Sequence, residues 1–136
     1  MTVLLSSRLL RGALSVDAVA TITTGAAMAL ASEALSQWFG LPRSFLLAVG
    51  LFQLAYSVIV IAAAVRTTLP SWIAWTLVVL NLVWVVDSVG LLIIGWMSPT
   101  PLGIAYVLAQ AAIVLALAIA QAEGIKQSAR QQTQIA

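Results

Sequence analysis

The sequence contains four apolar segments that are each long enough to cross a lipid bilayer as a helix. They cover residues 12–31, 44–65, 71–96 and 102–120, and a helix needs about 20 residues to span a hydrocarbon core of about 30 Å. Backbone groups in lipid must pair within the protein, and these segments lack the alternating pattern of barrel strands. The sequence therefore predicts an all-α membrane protein with four transmembrane helices.

The composition leaves no room for a separate soluble domain. Apolar residues make up 62% of the chain and charged residues 7%, and the mean hydropathy is +1.10, far above that of ordinary globular domains. We predict one transmembrane domain over residues 1–123 and a polar cytoplasmic tail over residues 124–136. Polar termini are commonly mobile, so we expect the tail to be a frayed helical extension; a docking tail is the alternative.

The basic residues predict the orientation of the spans, because short loops rich in Arg and Lys stay in the cytoplasm. Arg43 lies on one side of the predicted membrane, and the other five basic residues lie on the opposite side: Arg8, Arg11, Arg66, Lys126 and Arg130. Tight connections between successive spans favour antiparallel neighbours. We therefore predict an antiparallel up-down four-helix transmembrane bundle with both termini in the cytoplasm.

The first span leaves two questions open. Arg8, Arg11 and the small residues 29–31 imitate a secretory signal, but Asp17 interrupts the apolar run, which also exceeds the ~7–15 residues typical of signals. We therefore expect this segment to be retained as a span. The polar and aromatic residues 32–39 either continue the first span or lie at the outer membrane interface.

The chain has no Cys and no His, which removes thiol redox chemistry and the usual ligands of zinc, copper and haem iron. We expect no metal and no cofactor. The net charge of +2 follows from the predicted topology and forms no basic patch, so nucleic-acid binding is not expected.

Within each span the polar residues recur at helical spacing, which places them on one face. Such a face directed into the bundle is the candidate site for binding or proton transfer. Its selected members are Asp87, Gln53, Gln110, Thr24, Tyr56, Tyr106 and Trp84, and further residues on the same faces are Thr21, Ser57, Ser88 and Gln121.

The depth of these residues follows from the helical rise of about 1.5 Å per residue. Gln53, Asp87 and Gln110 each fall roughly 13–15 Å from the outer end of their span, and Thr24 lies near the same level. Asp17 and Asn81 fall nearer the cytoplasmic face and form a second predicted polar pair.

Asp87 is the strongest candidate, because a carboxylate that faces lipid near the bilayer centre costs several kcal/mol. We expect it to face protein or water and to be held by the amides of Gln53 or Gln110. A structural and a transport-like role are equally compatible with such a residue. Asp17 lies within two turns of Arg11, so we expect it to reach the cytoplasmic interface or to serve the start of its helix.

Several short motifs resemble those of small uncharacterised four-span bacterial inner-membrane proteins. They are Arg11 with Asp17-Ala18, Asn81-x-x-Trp84, Gly95-Trp96, Pro99-Thr100-Pro101-Leu102-Gly103 and Gln110-Ala111. This resemblance covers nearly the whole chain and implies a multi-pass location in the bacterial inner (cytoplasmic) membrane, but it implies no activity.

A second resemblance is to the small multidrug resistance transporters. It rests on Gly103-Ile104-Ala105-Tyr106 and on an acid in the first span. In that family the comparable stretch lies in the third span and the essential acid is a deeper glutamate. Here they fall in the fourth span and at Asp17, which puts the same mechanism in doubt.

Three classes of function are compatible with the sequence. The first is an accessory or scaffolding subunit, or a small bundle that binds lipid or another hydrophobe beside Tyr56, Trp84 and Tyr106. The second is an oligomeric proton- or cation-coupled transporter that uses Asp87. An integral-membrane enzyme ranks third, because the chain lacks His and Cys for nucleophilic or metal chemistry. The expected partners are membrane lipids and either another membrane protein or a second copy of the chain.

Overall fold

A computed structural model describes residues 2–136 as five helices and a short two-stranded ribbon. In chain order the elements are β1 (Val3–Leu5), α1 (Arg8–Leu30), α2 (Ser32–Phe39), α3 (Arg43–Ala64), β2 (Thr68–Pro70), α4 (Ser71–Ile94) and α5 (Pro101–Ile135). The helices α1, α3, α4 and α5 are long and apolar enough to cross a membrane. The prediction of four long apolar helices is confirmed, and these helices indicate a multi-pass membrane protein.

Local side-chain chemistry determines where the helices begin and end. The Ser7 hydroxyl accepts a hydrogen bond from the Leu10 backbone nitrogen at 3.2 Å, and the Thr100 hydroxyl accepts one from Gly103 at 3.1 Å. These N-cap contacts satisfy donors that a first helical turn leaves free. Gly95 ends α4 in the left-handed conformation, with φ 68°, which residues with a Cβ rarely adopt.

Residues 32–39 form a separate short helix, α2, and do not simply continue α1. The backbone leaves helical geometry at Ala31 (φ −114°, ψ 25°), and Gly40 ends α2. α2 packs against α3 and α5, and its last residue, Phe39, stacks on Tyr106 with the ring centres 4.6 Å apart. Of the two alternatives that the sequence left open, a continuous first span does not occur.

The long helices contact one another in the order α3, α1, α5, α4. α1 lies between α3 and α5, and α4 packs against α5. Although α3 and α4 are neighbours in sequence, their backbones make no extensive contact. The four helices therefore leave a gap between α3 and α4.

A glycine allows α1 and α3 to approach closely. A Cβ atom on Gly50 would lie 2.8 Å from the carbonyl oxygen of Gly25 and 2.8 Å from the backbone nitrogen of Ala29. Backbone atoms cannot rotate away as the end of a side chain can. The α1–α3 contact therefore depends on the missing side chain at position 50, as is common where membrane helices pack.

The ribbon is a feature that the sequence analysis did not predict. Leu4 pairs with Leu69 at its centre, and both side chains are buried. The connection between α3 and α4 thus contains a strand that pairs with β1. Strands of three residues carry too little of the alternating pattern to be recognised.

α5 continues through the predicted polar tail and packs against the start of the chain. The Ser7 hydroxyl donates to the Gly124 carbonyl at 3.0 Å, and the Ser7 backbone nitrogen donates to Ser128 Oγ at 3.0 Å. Further along, Gln132 Nε2 donates to the Val3 carbonyl at 2.6 Å. The first turns of the tail are therefore held against β1 and α1.

Buried apolar residues form two clusters with polar side chains between them. The cluster beside the ribbon includes Leu10, Leu14, Val60 and Leu77, and the cluster beside α2 includes Met28, Phe39, Leu41 and Leu46. Thr24 lies between the clusters along α1, between Ala18 and Met28, and Gln53 does so along α3. The middle of the helix array is thus where polar groups collect.

Candidate functional site

A cavity of about 460 Å³ lies among α1, α3, α4 and α5. Much of its wall is apolar and includes Phe52, Val83 and Ile113. The volume falls within the range of about 300–1,000 Å³ that is typical of small-molecule sites.

All the candidate residues selected from the sequence line this one cavity. They are Asp17, Thr24, Gln53, Tyr56, Asn81, Trp84, Asp87, Tyr106 and Gln110. The helical faces defined by the polar spacing therefore meet in space, and the two predicted layers belong to the same cavity.

Asp17 is the centre of a buried hydrogen-bond network, with 2% of its surface exposed. Its Oδ2 accepts from Asn81 Nδ2 at 2.9 Å and from Gln121 Nε2 at 2.7 Å. Its Oδ1 accepts from Thr21 Oγ1 at 3.3 Å, and Asn81 Nδ2 also donates to Gln121 Oε1 at 3.2 Å. The network joins α1, α4 and α5 and includes the predicted Asp17–Asn81 pair.

The position of Asp17 differs from the expectation that it reaches the interface beside Arg11. The Arg11 side chain instead donates from Nε to the Ala64 carbonyl at 3.5 Å. None of the ion pairs within residues 2–136 involves Asp17. Asp17 points inward because three neutral donors on neighbouring turns and helices converge on its carboxyl group.

Asp87 lines the same cavity as Asn81 and lies six residues further along α4, which corresponds to about 9 Å of helical rise. The structure leaves it exposed. The expected amide contact is not formed, since no hydrogen bond joins Asp87 to Gln53 or Gln110 in the described part of the chain. The Gln53 side chain instead pairs with Thr24, whose Oγ1 donates to Gln53 Oε1 at 3.0 Å across the α1–α3 contact.

A second cavity of about 220 Å³ adjoins the first. Its wall includes Phe45, Val49 and Leu91, and both cavities are lined by Trp84 and Asp87. Asp87 is therefore at the junction of two largely apolar spaces.

Aromatic side chains connect α3 and α4 across the gap. The rings of Phe52 and Trp84 are nearly parallel, with an angle of 3° between planes and 6.4 Å between centres. Tyr56 lies beside Phe52 with its ring centre 6.3 Å away. The Tyr56 hydroxyl and the Trp84 indole nitrogen are buried without a hydrogen-bond partner within residues 2–136, so this wall holds two donors that the chain itself does not satisfy.

The cavity opens sideways between α3 and α4. Phe52 on α3 and Val83 on α4 both line it, yet they remain 58% and 48% exposed. Since these two helices make no extensive backbone contact, the cavity is open on the side between α3 and α4.

The site contains acidic side chains and no basic ones among the described residues. The side chains that line the two cavities include the carboxyl groups of Asp17 and Asp87 but no Lys or Arg. No group of three or more His, Cys, Asp or Glu side chains within residues 2–136 is arranged to hold a metal ion. The ion pairs in the described chain lie outside the cavities, between Arg43 and Glu33 and between Lys126 and Glu123.

The sequence placed Gln121 on the polar face of its span without selecting it for the candidate site, and it did not single out Phe52. Gln121 lies just beyond the predicted end of the fourth span at residue 120, but it is fully buried. It follows Gln110 by eleven residues, close to three helical turns of about 3.6 residues, and this spacing signals a shared face. Phe52 carried no signal, because an apolar residue in an apolar span is unremarkable.

No known protein family, curated protein or solved structure matches this chain.

Proposed function

We propose that this protein binds a small hydrophobic molecule from the membrane in the cavity among α1, α3, α4 and α5. The observation that carries the proposal is a cavity of about 460 Å³ with a largely apolar wall and few polar groups. That combination is typical of sites in which apolar contacts supply affinity and polar groups fix the ligand's orientation.

Packing alone does not account for this cavity. Polar residues that only join helices are expected to pair with each other, as Asp17, Asn81 and Gln121 do. Asp87 and Gln110 line the cavity without a hydrogen bond to any group in residues 2–136, which supports a role toward a ligand.

We place the protein in the bacterial inner membrane as an antiparallel up-down bundle with both termini in the cytoplasm. Support for this orientation comes from the ribbon end of the molecule. Arg8 begins α1, Arg66 precedes β2, and Lys126 lies in the extension of α5, so the basic residues collect where β1 and β2 pair.

A hydrophobe-binding bundle of this size also suits an accessory or scaffolding subunit. The gap between α3 and α4 would then face a partner membrane protein, a second copy of the chain or the lipid itself. Native mass spectrometry of the protein released gently from its own membrane distinguishes these partners by mass.

Photo-crosslinking tests the binding proposal. The protein is placed in phosphatidylcholine nanodiscs, exposed to a neutral diazirine-bearing hydrocarbon and irradiated, and labelled peptides are identified by mass spectrometry. We expect labels on peptides that contain Phe52 and Trp84. Ala20→Phe introduces a ring into the cavity wall and should reduce this labelling by about tenfold, because a filled cavity excludes a ligand.

Ala27→Phe is the matched control, since Ala27 lies on the same helix and is exposed outside the cavity. It should label as the wild type does. Equal labelling of the Ala20→Phe and wild-type proteins, with helicity unchanged in both, would exclude the cavity as the binding site.

A proton or cation carrier that uses Asp87 is the second candidate function. It is favoured by the exposure of this carboxyl group at the junction of two cavities. In proteoliposomes that enclose a pH-sensitive dye, the carrier hypothesis predicts proton flux that Asp87→Asn abolishes while the protein stays folded. Flux that is absent from the wild type or unchanged in the variant would rule out a proton carrier.

A further inference from the structure

We infer that the ligand is an amphiphilic organic cation, with an ammonium group beside Asp87 and an apolar body along the two cavities. This inference rests on the proposed function, because it specifies the chemistry of a ligand in that same cavity.

The first argument is the unmatched charge of Asp87. A carboxylate in the hydrocarbon region costs several kcal/mol unless protein, water or a counter-charge surrounds it. Asp17 lies in the same cavity, but its two oxygens already accept hydrogen bonds from three side chains. The Asp87 side chain has no hydrogen bond or ion pair within residues 2–136. It is therefore the acid that a ligand can reach and neutralise.

The second argument is the lack of basic side chains in the site. No Lys or Arg lines either cavity, so a phosphate or carboxylate group on the ligand would share the space with two acids and find no counter-charge. This excludes fatty acids and disfavours phospholipids, including zwitterionic ones. A molecule whose only charge is positive fits both acids.

The aromatic wall supplies a third argument. Trp84 precedes Asp87 by three residues, which places both side chains on the same face of α4. Trp is the aromatic residue that attracts cations most strongly, and the attraction grows when water is excluded. The nearly parallel ring of Phe52 adds a second aromatic surface on α3. An ammonium group near Asp87 would meet a carboxylate and aromatic rings together.

The position of Asp87 also specifies the shape of the ligand. It lies between spaces of about 460 Å³ and about 220 Å³, whose walls are largely apolar. Apolar parts of a ligand can extend from the ammonium group into either space. The inferred ligand thus has one ammonium group, from which apolar parts extend into one or both cavities. It carries no second charged group.

A matched pair of photoactivatable probes tests this inference. One probe is a diazirine-bearing alkyl chain that ends in trimethylammonium, and the other ends in the neutral isosteric tert-butyl group. A third carries a phosphocholine group on the same chain. In nanodiscs of phosphatidylcholine we expect the trimethylammonium probe to label the cavity about tenfold more strongly than either other probe, as an ion pair of partly buried charges allows.

Asp87→Asn should reduce the preference for trimethylammonium about tenfold and leave labelling by the neutral probe unchanged. Asp87→Glu should retain the preference. Glu33→Gln, which removes an exposed acid outside both cavities, controls for surface charge and should behave as the wild type.

Each alternative outcome overturns the inference in a different way. Equal labelling by the charged and neutral probes would leave the proposed hydrophobe binding intact but remove the cationic ligand. Stronger labelling by the phosphocholine probe would indicate a phospholipid site. A preference that survives Asp87→Asn would remove Asp87 as the recognition group, and no cavity labelling by any probe would exclude both the inference and the proposed function.

Discussion

Asp17 and Asp87 line one cavity but have opposite environments. Asp17 is buried and its oxygens are occupied by amide and hydroxyl donors, whereas Asp87 is exposed at the boundary between two spaces. Buried polar groups that are fully satisfied stabilise a specific packing. We therefore propose that Asp17 stabilises the helix array and that Asp87 is the acid that contacts the proposed ligand.

Gln121→Leu tests the structural role of the Asp17 network. The substitution removes the 2.7 Å hydrogen bond to Asp17 and leaves a buried carboxyl group with one donor fewer. We expect it to lower the free energy of unfolding by about 1–2 kcal/mol, measured by reversible unfolding in mixed micelles.

Gln127→Leu is the control for this change, because Gln127 lies on the same helix and is exposed. Its effect should stay within about 0.5 kcal/mol, as is usual for surface positions. If both substitutions had the same small effect, the network would contribute nothing measurable to stability.

At this scale the sequence predicted which residues meet but not what each one does. Helical spacing placed Asp17, Asn81 and Asp87 on inward faces, and the structure brings them to the same cavity. Depth along a helix does not specify how a side chain is turned about the axis or which donors surround it. For that reason the sequence predicted amide contacts for Asp87 and an interfacial or helix-start position for Asp17. In the structure Asp17 is the buried, hydrogen-bonded acid and Asp87 is exposed.

Among the elements, the pair α1 and α3 shows how a small residue determines helix separation. Gly50→Ala would place a methyl group 2.8 Å from backbone atoms of α1. We expect the free energy of unfolding to fall by about 1–3 kcal/mol, as overpacking typically causes, in the same micelle assay.

Gly90→Ala on α4 is the comparison, because a Cβ there meets no atom within 4 Å. Alanine is the better helix former, so this variant should be unchanged or up to about 1 kcal/mol more stable. A Gly50→Ala protein as stable as the wild type would show that α1 and α3 separate easily.

The long helices were predictable because a run of apolar residues between Gly and Pro residues has few alternatives in lipid. The helix order was not, since short connections favour contact between successive helices and α3 and α4 lack it. Bulky rings at Phe52 and Trp84 occupy the space between them. Such a spacing depends on side-chain volumes across two helices, which hydrophobic periodicity does not report.

For the whole molecule, the two ends of the chain are held together by β1, β2 and the extension of α5. Ser7 contacts Gly124 and Ser128, and Gln132 contacts Val3. A Cβ on Gly124 would lie 2.7 Å from the Leu10 backbone, so the close approach of α5 to α1 depends on the missing side chain at position 124. This contact supports the proposed arrangement in which both termini lie on the same side of the membrane.

Single thiols test this arrangement cleanly, because the chain contains no Cys. Ser98→Cys, in the connection between α4 and α5, should react with a membrane-impermeant maleimide added to intact spheroplasts. Gln134→Cys, in the extension of α5, should react only after the membrane is opened. The opposite pattern would invert the proposed orientation, and labelling of both from outside would contradict the up-down arrangement.

The gap between α3 and α4 also has a consequence for how binding must be quantified. A site that opens toward acyl chains samples the solute dissolved in the bilayer, and a hydrophobic solute is greatly enriched there relative to water. The dissociation constant expressed as free aqueous ligand would then scale inversely with the partition coefficient of the ligand. The value expressed as total ligand would instead rise as more lipid is added, because the added lipid dilutes the dissolved ligand. Mole fraction in the lipid phase is the natural concentration scale for this site.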